Sequence, residues 1–410
     1  MQKVIFVICD GLPDRPIEAL GNKTPLEVAK TPNLDKLAID GISGMMHLIG
    51  PGIRPGSDTA HLALFGYDPY VYYSGRGPFE CLGIDMEIKP GDICFRANAG
   101  TLDDNGILID RRVNRIESTA PVVDLLDGLE IDGVKFIMKP GLSHRIGLIA
   151  RGQNLSHRVS DQDPHITGTK VYKVRPLDET PEAIFTAEVL NKFSDLAINK
   201  LKDAPFNITR KKAGLLPANT VLFRGAGVFP KDLMAFTKKY RLKAAFVAGA
   251  PFYRGIAKFV GMDIISFSPE DGVTGLPNSN IKRKIEKAIK ISQNYDIVFV
   301  HIKAADSLSE DGNYQGKIEF IEKLDQALLP LAEAKDFLVV VTADHTTACQ
   351  LKLHTADPVP LTIRGEGVRT DDINAYSERE CARGRLGTIT GANLMPIIVD
   401  LMGLAELFGA

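Results

Sequence analysis

Three aspartates, two histidines and one serine are the residues whose types and spacing could do chemistry in this chain. Asp10 follows the apolar run Val4-Ile5-Phe6-Val7-Ile8-Cys9. Asp306 follows Ile297-Val298-Phe299-Val300-His301-Ile302, and Asp344-His345 follows Phe337-Leu338-Val339-Val340-Val341-Thr342-Ala343. Each run reads as a buried parallel strand, so three strands are expected to end in an acid. Ligands of open α/β sheets bind outside the carboxyl ends of the strands, and acids gathered there repel unless a cation sits between them. With His345 and His354 nearby, a metal site is the expectation. Ser57 follows the turn Pro55-Gly56, and Leu62, Leu64 and Phe65 then supply the apolar face of a helix. Ser57 has two readings here. It caps the helix, or it is a nucleophile where unpaired N–H groups and the macrodipole hold a phosphate.

Asp10, Ser57, Asp306, Asp344, His345 and His354 mix oxygen and imidazole donors, which suits Mn²⁺ or Zn²⁺ better than Ca²⁺. Two such ions roughly 3.5–4 Å apart would lower the pKa of the Ser57 hydroxyl and stabilise an in-line displacement, giving a phosphoserine intermediate.

The elements that must position these groups follow an α/β rhythm. Thr31 and Pro32 open a helix, residues 45–49 read as a strand, and the first 80 or so residues resemble the opening half of a doubly wound sheet. From about Asp85 the segments shorten and alternate, as in 94–99 and 107–109, and Thr180-Pro181 starts a helix. The α/β rhythm returns at Val221-Leu222-Phe223. Helices are expected over 230–240, 253–260, 280–294, 317–333 and 392–402, and strands over 244–247 and 264–267. The fold expected is an α/β doubly wound sheet domain in two segments, 1–85 and 221–410, interrupted by an inserted α+β domain over 86–220.

A net charge of −2, with 24% charged residues among 410, argues against nucleic acid or an anionic membrane as partner. Five scattered cysteines without a Cys-x-x-Cys pair indicate neither a disulfide framework nor a zinc–thiolate site, and fit a reducing cytoplasm. The N-terminal apolar run is too short for a signal peptide, and no uncharged apolar stretch approaches 18 residues. A cytoplasmic protein with no membrane association is expected.

The chain resembles the archaeal-type, cofactor-independent (2,3-bisphosphoglycerate-independent) phosphoglycerate mutases of the alkaline phosphatase superfamily, almost end to end. The resemblance is carried by Asp10-Gly11, Lys23-Thr24-Pro25-Leu26, Thr31-Pro32-Asn33-Leu34-Asp35, Gly56-Ser57-Asp58-Thr59-Ala60-His61 and Gly66-Tyr67-Asp68-Pro69. Further matches are Arg76-Gly77-Pro78-Phe79-Glu80, Asp110-Arg111-Arg112-x-x-Arg115-Ile116, Phe223-Arg224-Gly225-Ala226-Gly227, His301-Ile302-Lys303-Ala304-Ala305-Asp306 and Thr342-Ala343-Asp344-His345-Thr346-Thr347. It implies interconversion of 3- and 2-phosphoglycerate through phosphorylated Ser57. It also implies two divalent ions (Mn²⁺ or Zn²⁺, with Co²⁺ admissible), no 2,3-bisphosphoglycerate, and a small-molecule substrate, and it is compatible with a homo-oligomer. One ion would be held by Asp10, Ser57, Asp344 and His345, the other by Asp306 and His354 with one more ligand.

That last ligand departs from the family pattern, since Asp-x-x-x-His is here Asp306-Ser307-Leu308-Ser309-Glu310. A carboxylate from Glu310 would favour a harder ion such as Mn²⁺. In the insert the resemblance implies a glycerate site. Arg111, Arg112, Arg115, Arg145 and Arg224 are available to grip a carboxylate or phosphate, and His144, Asp161, Asp163 and His165 to meet hydroxyls or shuttle a proton. Lys258 and Lys303 are further candidates. A phosphatase or another phosphomutase on the same core, and a catalytically reduced binding protein, are the competing readings.

Overall fold

The computed structural model describes residues 2–409, which form two compact units. One is built from the segments up to Tyr72 and from Met234 onward, the other from Tyr73–Leu233. Among the described residues no helix is long and apolar enough to cross a membrane.

The first unit is organised by an eight-stranded sheet. Its order is Asp263–Ile265, Ala244–Val247, Ile297–Ile302, Lys3–Cys9, Phe337–Thr342, Val359–Arg364, Ile42–His47, Gly387–Thr390. Lys3–Cys9 pairs in parallel with Ile297–Ile302 on one side and Phe337–Thr342 on the other. Val4 through Ile8 are wholly buried, which explains an apolar run with no alternation: both faces of the strand lie in core. The shared register aligns Ile8 with His301 and with Thr342, so the chain leaves all three strands at one edge.

Asp306 departs from expectation. It does not end a strand but lies in the first turn of the helix Ala304–Glu310, and its N–H bonds the Asp10 carbonyl at 3.0 Å. That approach depends on Gly11, whose backbone is left-handed (φ +65°) and where a Cβ would stand 2.6 Å from the Asp306 Cα. The helix expected over 230–240 shrinks to Phe236–Tyr240, because the buried Phe236 gives its N–H to the Val260 carbonyl instead.

The second unit is wider than the 86–220 expected. Its antiparallel sheet centres on Ile93–Leu102, which pairs with Arg145–Arg151 and with Thr220–Gly227. Val221-Leu222-Phe223 therefore belongs to this sheet and not to the doubly wound one. Its apolar run misleads because both faces are covered: Val221 and Phe223 enter the main core of the unit, while Leu222 packs with Leu102 and Leu108. At the other end the helix Gly77–Gly83 packs on the same central strand, the Cys81 thiol lying 3.8 Å from the Phe95 carbonyl. The long helix Pro181–Lys202, with the Thr180 hydroxyl accepting from the Ala183 N–H, stacks Phe193 on Phe136 with ring centroids 4.1 Å apart. Both rings are fully buried. Phe193→Ala should cost about 3–5 kcal/mol of stability, measured as a fall in Tm and in the urea midpoint.

Candidate active site

The acids reach the sheet edge almost without exposure: Asp10 and Asp344 at 0% and Asp306 at 2%, beside His345 at 0%. Their ligand atoms fall into two groups, Asp10–Asp344–His345 and Asp306–His345–His354. His345 Nε2 lies 3.4 Å from Asp10 Oδ1, 3.2 Å from Asp344 Oδ2 and 3.2 Å from Ser57 Oγ. His354 Nε2 lies 3.4 Å from Asp306 Oδ1, its ring stacked on His345. Gly56 occupies the cap of the helix Ser57–Leu64, so Ser57 is the first helical residue and its hydroxyl turns to His345.

Hydrogen bonding fixes which nitrogen of His345 carries the proton. Burial raises the Asp306 pKa, but the bond from His354 and the charge of Lys303 together hold it well below the carboxylate range. An ionised carboxylate only accepts, so the Thr347 hydroxyl donates to Asp306 Oδ1 (2.9 Å) and must itself accept from His345 Nδ1–H (3.0 Å). Burial pushes His345 down to about 3, so the ring is neutral and its lone pair sits on Nε2. That lone pair faces Asp10 Oδ1 and Asp344 Oδ2, two buried oxygens with no hydrogen-bond partner. Burial, then the charges of Asp10 and Asp306, pushes Asp344 well above its usual range. Crowding that favours a proton on Asp344 is relieved by a divalent cation in its place, and three converging donor atoms, two of them buried oxygens without a hydrogen-bond partner, fit one.

Lys303 Nζ lies 2.8 Å from Asp306 and 3.5 Å from Asp10. Burial opposes its charge, but Asp10, Tyr253 and Asp306 raise its pKa well above the lysine value, so it is a fixed cation at this edge.

In the other unit Arg111, Asp161, Asp163, His165 and Arg224 form one network. Arg111 grips Asp163 with two bonds, Nε–Oδ1 at 3.0 Å and Nη2–Oδ2 at 2.7 Å. Arg224 Nη1 donates to His165 Nδ1 at 2.8 Å and lies 3.7 Å from Asp163. Because a guanidinium only donates, His165 carries its proton on Nε2, which bonds Asp161 Oδ2 at 3.1 Å. His144 is pushed down to about 4 by burial and by the charges of Arg145, Arg112, Arg96 and Arg115. It is therefore neutral at pH 7 within a group of guanidinium ions. Lys258 belongs to the first unit, half-buried on the helix Pro251–Phe259.

The family model for 2,3-bisphosphoglycerate-independent phosphoglycerate mutase matches residues 38–207. A Methanocaldococcus jannaschii protein named 2,3-bisphosphoglycerate-independent phosphoglycerate mutase 1 is 47% identical over 412 residues, covering 99% of this chain and 98% of its own. The chain belongs to that family. A mutase of the same name from Archaeoglobus fulgidus is 46% identical over 99% of this chain and 100% of its own. Among solved structures, the cofactor-independent phosphoglycerate mutase of Thermoplasma acidophilum superposes with a TM-score of 0.72 at 39% identity, over 98% of this chain and 100% of its own. A Pyrococcus horikoshii protein reaches 0.85 at 36% identity, over 100% and 99%.

Set in this mutase family, Glu310 stands apart. It is exposed at the end of the helix Ala304–Glu310 and belongs to neither ligand group. Partial desolvation and then the Asp306 charge raise its pKa. Further groups, not marked by the sequence, hold Asp10, Asp306 and His345 in place. His301 Nε2 bonds Asp10 Oδ2 at 3.1 Å, and Thr347 bridges His345 and Asp306. Glu80, between Arg76 at 3.2 Å and Arg96 at 3.3 Å, anchors two guanidinium groups of the insert. A signal for Arg96 existed, since one arginine interrupts the apolar run Ile93-Cys94-Phe95-Arg96-Ala97.

Proposed function

We propose that this chain moves a phosphoryl group through Ser57. The reaction is that of the family to which the chain belongs, the interconversion of 3-phosphoglycerate and 2-phosphoglycerate without 2,3-bisphosphoglycerate. The observation that carries the covalent route is the Ser57 hydroxyl, at a helix N-terminus and 3.2 Å from the lone-pair nitrogen of His345. Asp10, Ser57, Asp344 and His345 would hold one divalent ion and Asp306 and His354 the other. When bound, Mn²⁺, Zn²⁺ or Co²⁺ supplies a lowered hydroxyl pKa and charge neutralisation for the transferring group. Ser57 contributes the accepting oxygen, the helix N-terminus favours the negative charge that arrives there, and Lys303 adds a fixed positive charge. The guanidinium groups around His144 suit the carboxylate and phosphate of a phosphoglycerate. Arg111, whose fork is taken by Asp163, works by holding the Asp163–Arg224–His165 network. All five cysteines are free and buried, which fits a reducing cytoplasm.

Glu310 and Asp306 are four apart on one helix, so the two carboxylates share a face, and Glu310 can complete the Asp306–His354 group. Glu310→Ala should then lose one of two bound ions, and Glu310→His should shift preference from Mn²⁺ toward Zn²⁺. Metal content after dialysis checks both, and unchanged stoichiometry and rate in Glu310→Ala would remove Glu310 from the ligands. The reading as a whole is tested by an enolase-coupled assay on 3-phosphoglycerate without 2,3-bisphosphoglycerate. Activity should vanish on chelation and return with Mn²⁺. A rate unaffected by chelation would sink it.

A further inference from the structure

Behind the ligand groups lies a buried cation that touches none of them. Lys317 is on the first turn of the helix Tyr314–Glu333 and is 0% exposed. Its Nζ donates to the Pro13 carbonyl at 3.1 Å, to Asp14 Oδ2 at 2.9 Å and to the Thr347 carbonyl at 3.1 Å. An ammonium has three protons, and each has a partner here. Pro13 and Asp14 follow Asp10 in the chain, and Thr347 follows Asp344 and His345. The same two loops are laced by the Thr347 N–H to the Pro13 carbonyl (3.2 Å) and by the Cys349 N–H to Asp14 Oδ1 (3.1 Å).

We propose that Lys317 is a positioning residue: its ammonium clamps the Asp10 loop to the Asp344–His345 loop and, through Thr347, sets the orientation of His345 and Asp306 toward the ions. This deepens the metal-dependent reading given above. Thr347 is the link. Its carbonyl receives Lys317, while its hydroxyl accepts from His345 Nδ1 and donates to Asp306 Oδ1. A shift of this residue therefore turns the His345 ring and rotates the Asp306 carboxylate together. Burying an ammonium and a carboxylate carries a desolvation penalty that an apolar residue of the same volume would avoid. A lysine serving only packing at this position would be better replaced by methionine. Partners that orient ligands typically change metal affinity by about 10–100-fold when removed.

The test reads the metal site without turnover. Co²⁺ is titrated into metal-depleted full-length protein, and binding is followed by visible d–d absorption in wild type, Lys317→Met, Asp14→Asn and Arg364→Met. Arg364 is a control, a buried cation of the same unit that only caps the carbonyls of Leu331, Ala332 and Ala334 at the far end of the Tyr314–Glu333 helix. Lys317→Met should bind Co²⁺ about 10–100-fold more weakly, with altered band positions and intensities, at a temperature where circular dichroism shows it folded. Arg364→Met should lower Tm yet keep the wild-type spectrum. If Lys317→Met does not fold, Asp14→Asn carries the same expectation, since its amide keeps the volume and loses the charge. Wild-type affinity and spectrum in whichever of these two variants is folded, or an equal spectral change in Arg364→Met, would overturn the proposal. Absence of phosphoserine in wild-type protein would instead overturn the covalent reading and leave the cobalt result standing.

Discussion

Ser57→Ala should abolish mutase turnover, by on the order of 10⁴-fold or more, while leaving the fold intact. The two halves of this expectation have separate causes. Removing Oγ removes the only atom in the chain proposed to carry the phosphoryl group between the two hydroxyls. The helix start does not suffer, because Gly56, not Ser57, is its cap, and the hydrogen bond lost to His345 is worth about 1 kcal/mol. Circular dichroism and Tm should stay close to wild type while the enolase-coupled rate falls to background. Mass spectrometry of wild-type protein quenched with substrate should find phosphate on Ser57. Mutase activity surviving in the alanine variant would exclude the covalent route.

Arg111→Ala should show a smaller effect on turnover than Ser57→Ala, together with a loss of stability. Asp163 is 0% exposed, and Arg111 supplies both of its guanidinium bonds. Truncation leaves the buried carboxylate with the His165 N–H at 3.0 Å and the more distant Arg224 as its nearest cation, and breaking a buried pair in this way costs about 3–5 kcal/mol. With the Arg224–His165 arrangement loosened, mutase transition-state binding should drop by on the order of 2–4 kcal/mol, as it should in Arg224→Ala. Cleavage of a small aryl phosphate at Ser57 should persist in both variants. A parallel fall of both activities would mean that these arginines do not act on the glycerate. Stability also acquires a pH signature. In the wild type burial raises the Asp163 pKa, but the Arg111 hydrogen bond, the His165 N–H and the charges of Arg111 and Arg224 together outweigh it and the net shift is downward. That depressed value contributes stability above the unfolded pKa of about 3.9, lost as pH falls through the folded value. Without Arg111 two of these lowering contributions go and the pKa rises relative to wild type, so the variant gains less stability than the wild type as pH rises through that region. The Tm gap between wild type and variant should widen from pH 4 to pH 7.

Much of the site was legible because its carriers are short, wholly apolar strands that end in charge. Nothing but a sheet edge explains Val4–Cys9 followed by Asp10, or the run to Thr342 followed by Asp344-His345. Asp306 reaches the same edge by another local route, since the turn into Ala304–Glu310 leaves no mark in the sequence that distinguishes it from a strand's last residue. Val221–Phe223 reads as part of the doubly wound sheet, yet lies in the antiparallel one, because an apolar run looks alike in a parallel core strand and in an antiparallel strand covered on both faces. Lys317 was invisible for another reason. A lysine beside Ile318, Ile321 and Leu324 looks like the solvated edge of an amphipathic helix, and only the meeting of two distant loops shows its ammonium enclosed. Glu310 was visible only as a mismatch to a pattern, which marks a position without placing its carboxyl.

The central position of Lys3–Cys9 in its sheet has a consequence for how the chain is made. The strand leaves the ribosome well before its partners Ile297–Ile302 and Phe337–Thr342, which are translated roughly three hundred residues later. At roughly 5–20 residues per second, it waits on the order of 15–60 s with both hydrogen-bonding edges open and an apolar sequence exposed. The interrupting unit Tyr73–Leu233 has all its own strands long before then and can close during synthesis. Nascent chains should therefore show protease protection of the insert first, with Lys3–Cys9 a binding target for holding chaperones until Ile297–Ile302 and Phe337–Thr342 emerge.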